Sequence, residues 1–492
     1  MRFCPPPPRT RLPHLRSKPL GLTIALTLAL AASGCAQLPS LDALARLKPA
    51  TDYQTAMSFT SPSTDWPDDQ WWRAYEDPQL NALIEEALRD SPDLAVAAAR
   101  VRYAEAASQI SGSALLPQIG ANASATEQRQ SYNYLTPKSM TPEGWQDYGR
   151  ATLDFSWELD FWGKNRAGLA AATSELEASK AEMAQARLSL AAAIATDYAE
   201  LARLFAARDT AARSLEVRSR TAALFAERFA NGLETRGSLR EAEARRASAE
   251  GELLLYEEQI GLQRNRLAAL LGAGPDRGLA IERPAINLHR RFGLPDKLAA
   301  NLLGRRPDVV AARLQAEAYA YRIDQKKAEF YPNVNLAAFI GVHSLGLNML
   351  SKSGSTTGSI GPAISLPIFT GGRLTGELRG TAAGYEQAVA NYNRTVTTAL
   401  QEVANAGLSQ KSLGARLTKG EEAVAAAGEA HRVARNRYEG GLSSFLEVLY
   451  AEDVLLNNQR ILTDLQSRAL TLDVALMRAL GGGYRETSDS NS

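Results

Sequence analysis

The fold is decided where residues 151–165 read ATLDFSWELDFWGKN. Apolar and polar residues alternate from Ala151 to Asp160, which predicts a β-strand with two different faces. The alternation stops at Trp162-Gly163. From about residue 165 to residue 230 there is no proline, and good helix-forming residues dominate. We therefore predict a short amphipathic strand followed directly by one helix of about 66 residues.

The same pattern occurs twice, which indicates an internal duplication. Short marker sequences recur in the same order at separations of 208 to 215 positions. They are Leu116-Pro117 with Tyr331-Pro332, Asp160-Phe-Trp-Gly163 with Ile368-Phe-Thr-Gly371, and Arg228-Phe-Ala-Asn-Gly-Leu233 with Arg437-Tyr-Glu-Gly-Gly-Leu442. We predict a first repeat over 77–290 and a second over 291–482, each with a helix, a strand pair and a helical hairpin.

The predicted strand pairs are 118–128 with 149–160 and 333–343 with 358–368. Each strand has about 9–11 residues, the length of a tilted membrane strand. A half-buried strand of a soluble sheet is the alternative. Aromatic residues near the strand ends favour a membrane interface. They are Tyr132, Tyr134, Trp145, Tyr148, Trp157, Phe161 and Trp162.

Four strands cannot close a barrel, and lipid does not tolerate an open sheet edge. Strands that face lipid would therefore require oligomerisation, with eight strands from two copies or twelve from three. The strand count alone does not choose between these numbers.

Each predicted strand pair is followed by a helical hairpin. The long helices reverse at Asn231-Gly232 and Gly440-Gly441, which are typical C-cap sequences. A helix of about 66 residues spans roughly 100 Å and needs partners along its length, so we expect coiled-coil packing. The reversals, near 231–237 and 439–444, would be the hairpin tips far from the strands.

The first 34 residues are typical of a secretory signal peptide. Five cations and no acid precede about 13 apolar residues, too few to cross ~30 Å of hydrocarbon. The end of this segment resembles a bacterial lipobox, which implies a covalent lipid on Cys35, and Ala36 implies sorting to the outer membrane. Cleavage without lipidation is the alternative. An extended, lipid-anchored segment over 35–76 and a disordered tail over 483–492 complete the prediction.

Composition and motifs exclude other classes. The chain has 55 Lys and Arg residues against 54 Asp and Glu residues. Its net charge therefore creates no overall positive potential that would attract nucleic acid. Two cysteines and four scattered histidines suggest no metal site, and no cofactor besides the lipid is expected. The stretch from Gly341 to Gly346 has the wrong spacing for a nucleophile elbow, so we expect no enzyme. No later segment has about 18 consecutive apolar residues.

Motifs throughout nearly the whole mature chain resemble the outer membrane efflux family of TolC and OprM, most of all its NodT-type lipoprotein branch. They include Trp71-Trp72-Arg-Ala-Tyr-Glu-Asp77-Pro78, Ser91-Pro-Asp93, Arg305-Arg-Pro-Asp308, Phe330-Tyr-Pro332, Pro367-Ile-Phe-Thr-Gly-Gly372 and Arg437-Tyr-Glu-Gly-Gly-Leu-Ser-Ser-Phe-Leu-Glu-Val-Leu449. The resemblance implies a homotrimer with a twelve-stranded barrel in the outer membrane of a Gram-negative bacterium and an α-helical barrel in the periplasm. It further implies a passive exit duct that docks through its tips to a membrane-fusion adaptor and an inner-membrane pump of the RND type.

The resemblance also assigns roles at the tips. Adaptor contacts are expected at Gly232, Leu233, Thr235, Gly441, Leu442 and Ser443, although the glycines could serve only as helix caps. A periplasmic gate is expected at Glu447, Tyr450, Asp453 and Leu446, with the first three on roughly one helix face. Tyr450 stands where some members have a second aspartate, and solvated surface charge is the alternative to a gate.

The sequence leaves the exported substrate open. Drugs or toxic compounds are the first expectation, and organic acids or metals are the alternative. A coiled-coil lipoprotein scaffold without a channel is a further alternative.

The Arg305–Asp308 motif is interpreted as a helix start, since Pro307 suits the first turn and Asp308 suits the positive helix N-terminus.

Overall fold

The computed structural model describes residues 38–41, 43–55, 57–59, 62–133, 137–286, 294–295 and 298–486. The predicted signal peptide, Cys35 and most of the predicted C-terminal tail lie outside these residues. Two compact units are present. The sheet unit comprises Ile110–Leu169 and Tyr321–Ala383 with the described residues before Ala45, and the helical unit comprises the remaining described residues.

The described chain is mainly helical and contains one antiparallel sheet. The helices are α1 (Pro78–Asp90), α2 (Pro92–Ser113), α3 (Lys164–Ala230), α4 (Arg236–Leu270), α5 (Pro275–Leu279), α6 (Leu298–Arg305), α7 (Pro307–Ala328), α8 (Arg373–Glu439) and α9 (Phe445–Ala479). The strands are β1 (Gln118–Gln128), β2 (Gln146–Glu158), β3 (Asn333–Leu345) and β4 (Thr356–Ser365). Among the described residues, every helix is too short or too polar to cross a membrane.

Corresponding elements of the two halves have matching lengths. Helices α2 and α7 have 22 residues each, α3 and α8 have 67 each, and α4 and α9 have 35 each. Each half therefore places a strand pair before a hairpin of one very long and one shorter helix. This confirms the predicted fold class of duplicated, mainly helical halves with four strands.

Helix α1 contributes buried residues to the core of the helical unit and is held by a buried carboxylate at its start. The Asp77 carboxylate accepts hydrogen bonds from the backbone N–H groups of Gln79 and Leu80, and Pro78 occupies the first turn. The buried Tyr198 hydroxyl of α3 donates to the other oxygen of Asp77 at 2.8 Å. One carboxylate thus caps α1 and joins it to the first long helix.

A second buried polar group lies at the start of α7. Arg306 is 6% exposed, and its guanidinium lies 2.6 Å from the carboxylates of both Asp308 and Glu402. It also donates to the backbone carbonyl of Ala479, at the end of α9, at 3.2 Å. Because α7 begins at Pro307, the interpretation of this motif as a helix start is confirmed.

Candidate functional site

One face of the sheet is apolar and exposed. The β-strand register brings Leu153 between Ala121 and Ile340 on this face, with Gly358 opposite Ile340. The side chains that form the apolar face include Ile119, Leu153, Phe155, Ile340, Ile360 and Ile364. Ile119 is 69% and Ile360 79% exposed, although a folded protein in water would normally bury such a continuous apolar surface. Lipid is the solvent that suits this face.

The other face is polar. Asn122 of β1 donates to the carboxylate of Asp154 on β2 at 2.8 Å, and the Thr152 hydroxyl donates to the same oxygen at 3.0 Å. Arg150 lies two residues nearer to the start of β2 than Thr152, opposite His343 of β3. One mainly apolar and one mainly polar face on alternating residues is the pattern of a membrane barrel wall.

The sheet has two free edges. The strand order is β1-β2-β3-β4, and among the described residues β1 pairs only with β2, and β4 only with β3. The outer edges of β1 and β4 therefore carry backbone N–H and C=O groups without a strand partner, which is costly in lipid. The edge of β4 is antiparallel to the edge of β1, so a β4 strand from one copy suits the β1 strand of another.

The two hairpin tips have the same backbone geometry. In the first tip, Gly232 has a φ of 72°, and the Leu233 N–H donates to the Arg228 carbonyl at 2.8 Å. In the second, Gly441 has a φ of 74°, and the Leu442 N–H donates to the Arg437 carbonyl at 2.8 Å. This arrangement is a Schellman cap, which requires a residue in the left-handed region and so favours glycine.

The predicted adaptor-contact residues differ in their surroundings. Leu233 and Leu442 are 65% and 76% exposed, so they make little contact within the chain. The Thr235 hydroxyl accepts a hydrogen bond from the Ser238 N–H at 3.1 Å and caps α4. Ser443 differs again, because its hydroxyl oxygen is buried without a hydrogen-bond partner among the described residues. The leucines are therefore the side chains available to a partner.

Aromatic side chains hold the two tips together. The rings of Phe225 in α3 and Phe445 in α9 lie 4.3 Å apart, and Tyr438 in α8 lies 5.0 Å from Phe445. The guanidinium of Arg228 lies 5.6 Å from the centre of the Tyr438 ring. Contacts between the two hairpins bring Leu233 and Leu442 to the same end of the helical unit.

The predicted gate residues divide into two groups. Leu446 and Tyr450 of α9 are 66% and 74% exposed, and the exposed Glu447 carboxylate lies 3.3 Å from the Arg437 guanidinium. Asp453 instead lies 3.0 Å from Arg218 of α3 and 2.8 Å from Arg245 of α4. The structure brings Leu446, Glu447 and Tyr450 close along one exposed turn but gives Asp453 different neighbours.

Three charged residues beside Asp453 were not predicted from the sequence: Arg218, Arg245 and Glu452. Glu452 is 4% exposed, and burial raises the pKa of its carboxyl group, while Arg218 at 3.6 Å opposes this shift. The pKa of Arg245 is raised, since Asp453 and Glu241 outweigh its burial. These ion pairs tie α9 to α3 and α4 just beyond the tips.

A sheet with an apolar and a polar face, joined to two long helical hairpins, defines the class of outer membrane channel proteins. Comparison with known proteins agrees with this class. The family model described as outer membrane efflux protein matches residues 83–273 and 298–482. The chain belongs to this family.

Individual relatives are similar over most of their length. The chain is 37% identical to the fusaric acid resistance protein FusA of Burkholderia cepacia over 73% of this chain and 68% of that protein. It is 33% identical to the multidrug resistance outer membrane protein MdtP of Escherichia coli K12, over 86% and 88% respectively. The crystal structure of the outer membrane protein VceC from Vibrio cholerae is 50% identical, with a TM-score of 0.82 over 85% of this chain and all of that one.

Proposed function

We propose that three copies of this chain form an exit duct across the outer membrane. The observation that carries the proposal is the sheet with two free edges, one at β1 and one at β4. Pairing β4 of each copy with β1 of the next satisfies both edges and closes a ring. The interior of an eight-stranded barrel is filled by side chains or holds one small ligand, whereas twelve strands leave a wider passage, which favours three copies over two.

Disulfide cross-linking of the free edges tests this assembly. A variant with Ala121→Cys in β1 and Ile360→Cys in β4 is expected to form intermolecular disulfides in oxidised outer membranes, because both positions lie on the apolar face of edge strands. The expected ladder on non-reducing gels ends at three chains. Each single-cysteine variant is the control, and a ladder that ends at two chains would contradict the proposal. The sequence has only two native cysteines, Cys4 and Cys35.

The helical tips are the proposed docking site for a periplasmic membrane-fusion adaptor and, through it, an inner-membrane pump of the RND type. A group of exposed apolar side chains at this end of the helical unit supports this proposal, because such a group, unlike a single exposed residue, commonly marks a protein interface. The group comprises Leu233, Leu442 and Leu446. The duct itself is proposed to be passive and to catalyse no reaction. A lipid on Cys35 would anchor the chain to the outer membrane.

The proposed cargo is drugs or other toxic small molecules, as the name of the multidrug resistance relative suggests. Organic acids are the second candidate, favoured by the relative named for resistance to fusaric acid. Expression of this chain in a strain without its own efflux ducts tests these candidates. The class of compound to which the chain restores resistance is the class that it exports.

Leu446, Glu447 and Tyr450 are proposed to narrow the periplasmic entrance, with three copies of each side chain around the axis. Combined Glu447→Ala and Tyr450→Ala substitution is expected to raise single-channel conductance roughly twofold or more, since it removes both bulk and fixed charge at a constriction. Planar bilayer recording measures this directly. Glu429→Ala, an exposed carboxylate of α8 paired with Arg432, is the control. Unchanged conductance would remove these residues from the gate.

A further inference from the structure

Arg150 carries a fixed positive charge on the polar face of the sheet. It lies in β2 between Ser124 of β1 and His343 of β3, and its side chain is exposed. Its guanidinium stands 5.4 Å from the centre of the Phe339 ring, a contact that leaves the charge intact. No carboxylate among the described residues lies within ion-pair distance of it.

The acidic residues of this face lie further along β2. Glu158 is paired with Lys164 at 2.5 Å, and Asp154 accepts two hydrogen bonds from neutral side chains. The Cα atoms of Arg150 and Asp154 are separated by four residues of extended strand, or about 13 Å. The Arg150 guanidinium, however, lies against Phe339, the residue paired with Asp154 across the strands. Arg150 and Asp154 therefore belong to two successive layers of the polar face, and their charges interact without forming an ion pair.

The two layers also have a defined order. Arg150 lies near the end of the sheet that carries the β1–β2 and β3–β4 connections, whereas Asp154 lies closer to the start of α3. An ion moving along the polar face from the helices towards the strand connections would pass the acidic layer first and the cationic layer last.

We propose that Arg150 makes the outer end of the duct selective for anions. This inference rests on the proposed trimer, in which three guanidinium groups surround the passage at one level. A ring of like fixed charges concentrates ions of opposite sign and sets the selectivity of a pore. The molecules favoured at this layer are small inorganic anions and organic molecules that carry a carboxylate, sulfonate or phosphate group.

Reversal potentials in planar bilayers test the proposal, with the purified full chain and a KCl gradient. Arg150→Gln is expected to lower the ratio of chloride to potassium permeability roughly twofold or more, because fixed charges in narrow passages create potentials on the order of kT. Arg150→Lys keeps the charge and should retain the wild-type ratio. Asp154→Asn removes the opposite charge and should shift the ratio in the opposite direction.

The outcomes separate this inference from the proposed duct. Wild-type protein that forms no channels would overturn the duct and, with it, the role of Arg150. Channels that form normally but keep the wild-type permeability ratio in Arg150→Gln would overturn the selectivity role alone. A lost ratio in Arg150→Lys as well as in Arg150→Gln would also contradict it, because the effect would then follow the shape of arginine and not its charge.

Discussion

Cells that carry Leu233→Asp together with Leu442→Asp are expected to lose export through this duct, while the protein remains assembled in the outer membrane. Both leucines are more than half exposed at neighbouring tips and contribute little to their own fold. Burying one leucine against a partner is worth about 1.5–3 kcal/mol, or roughly tenfold to a hundredfold in affinity. Aspartate removes this contribution and adds a charge that must be desolvated on docking.

The measurement is resistance in a strain that lacks its own outer membrane efflux ducts. The wild-type chain should restore resistance to the compounds it exports, and the double variant should restore none. Asn231→Asp adds a charge to the first tip but keeps both leucines, so it should retain most of the activity. A fully active double variant, present at the wild-type level in outer membranes, would show that docking does not use these leucines.

Replacing Arg306 with methionine is expected to destabilise the helical unit by about 3–5 kcal/mol per chain. The substitution leaves the Asp308 carboxylate without its buried counter-ion and leaves Glu402 with only the more exposed Arg478 at 3.1 Å, and the Ala479 carbonyl loses a donor. Burial alone would lower the pKa of Arg306, yet the two carboxylates outweigh it and raise the pKa. The folded protein therefore stabilises the charged form of the Arg306 guanidinium.

Thermal denaturation in detergent, followed by circular dichroism, measures this loss. Arg432→Met is a matched control, because Arg432 is paired with Glu429 on the exposed surface of α8. A surface pair on a helix contributes only about 0.3–0.5 kcal/mol. If Arg306→Met and Arg432→Met unfold at the same temperature, the buried cluster is not the structural link between α7, α8 and α9 described above.

The strands and long helices were predictable because their signals are local. Alternation holds from residue 118 to 126 in β1 and from 150 to 158 in β2. The observed β1 begins and ends at the predicted residues 118 and 128, whereas the observed β2, 146–158, begins three residues and ends two residues before the predicted strand 149–160. The recurrence of each marker sequence then predicts that the second half repeats the first. The register confirms that the alternating apolar residues share one face.

The surroundings of Asp453 could not be predicted in the same way. Its partners Arg218 and Arg245 are 235 and 208 residues away in the sequence, and nothing in their local sequence marks them as neighbours. Placing Asp453 on the face of Glu447 was wrong. Six residues at about 100° each leave the two side chains roughly 120° apart around α9. Helical periodicity could have given this angle, but only the packed hairpins reveal what Asp453 contacts.

Cys35 illustrates a different limit. Its proposed lipid depends on the resemblance of the preceding residues to a lipobox, and neither the fold nor the tips bear on it. The lipid anchor therefore remains a prediction from the sequence.

The number of chains in the native particle tests the central claim most directly. The molar mass of protein extracted from outer membranes in mild detergent can be measured by light scattering, with the contribution of the bound detergent subtracted. We predict three chains, because three sheets joined from β4 to β1 leave no free edge and enclose a passage lined by the polar face. A stable monomer, or a closed dimer of eight strands, would contradict the account of this chain as one third of a duct.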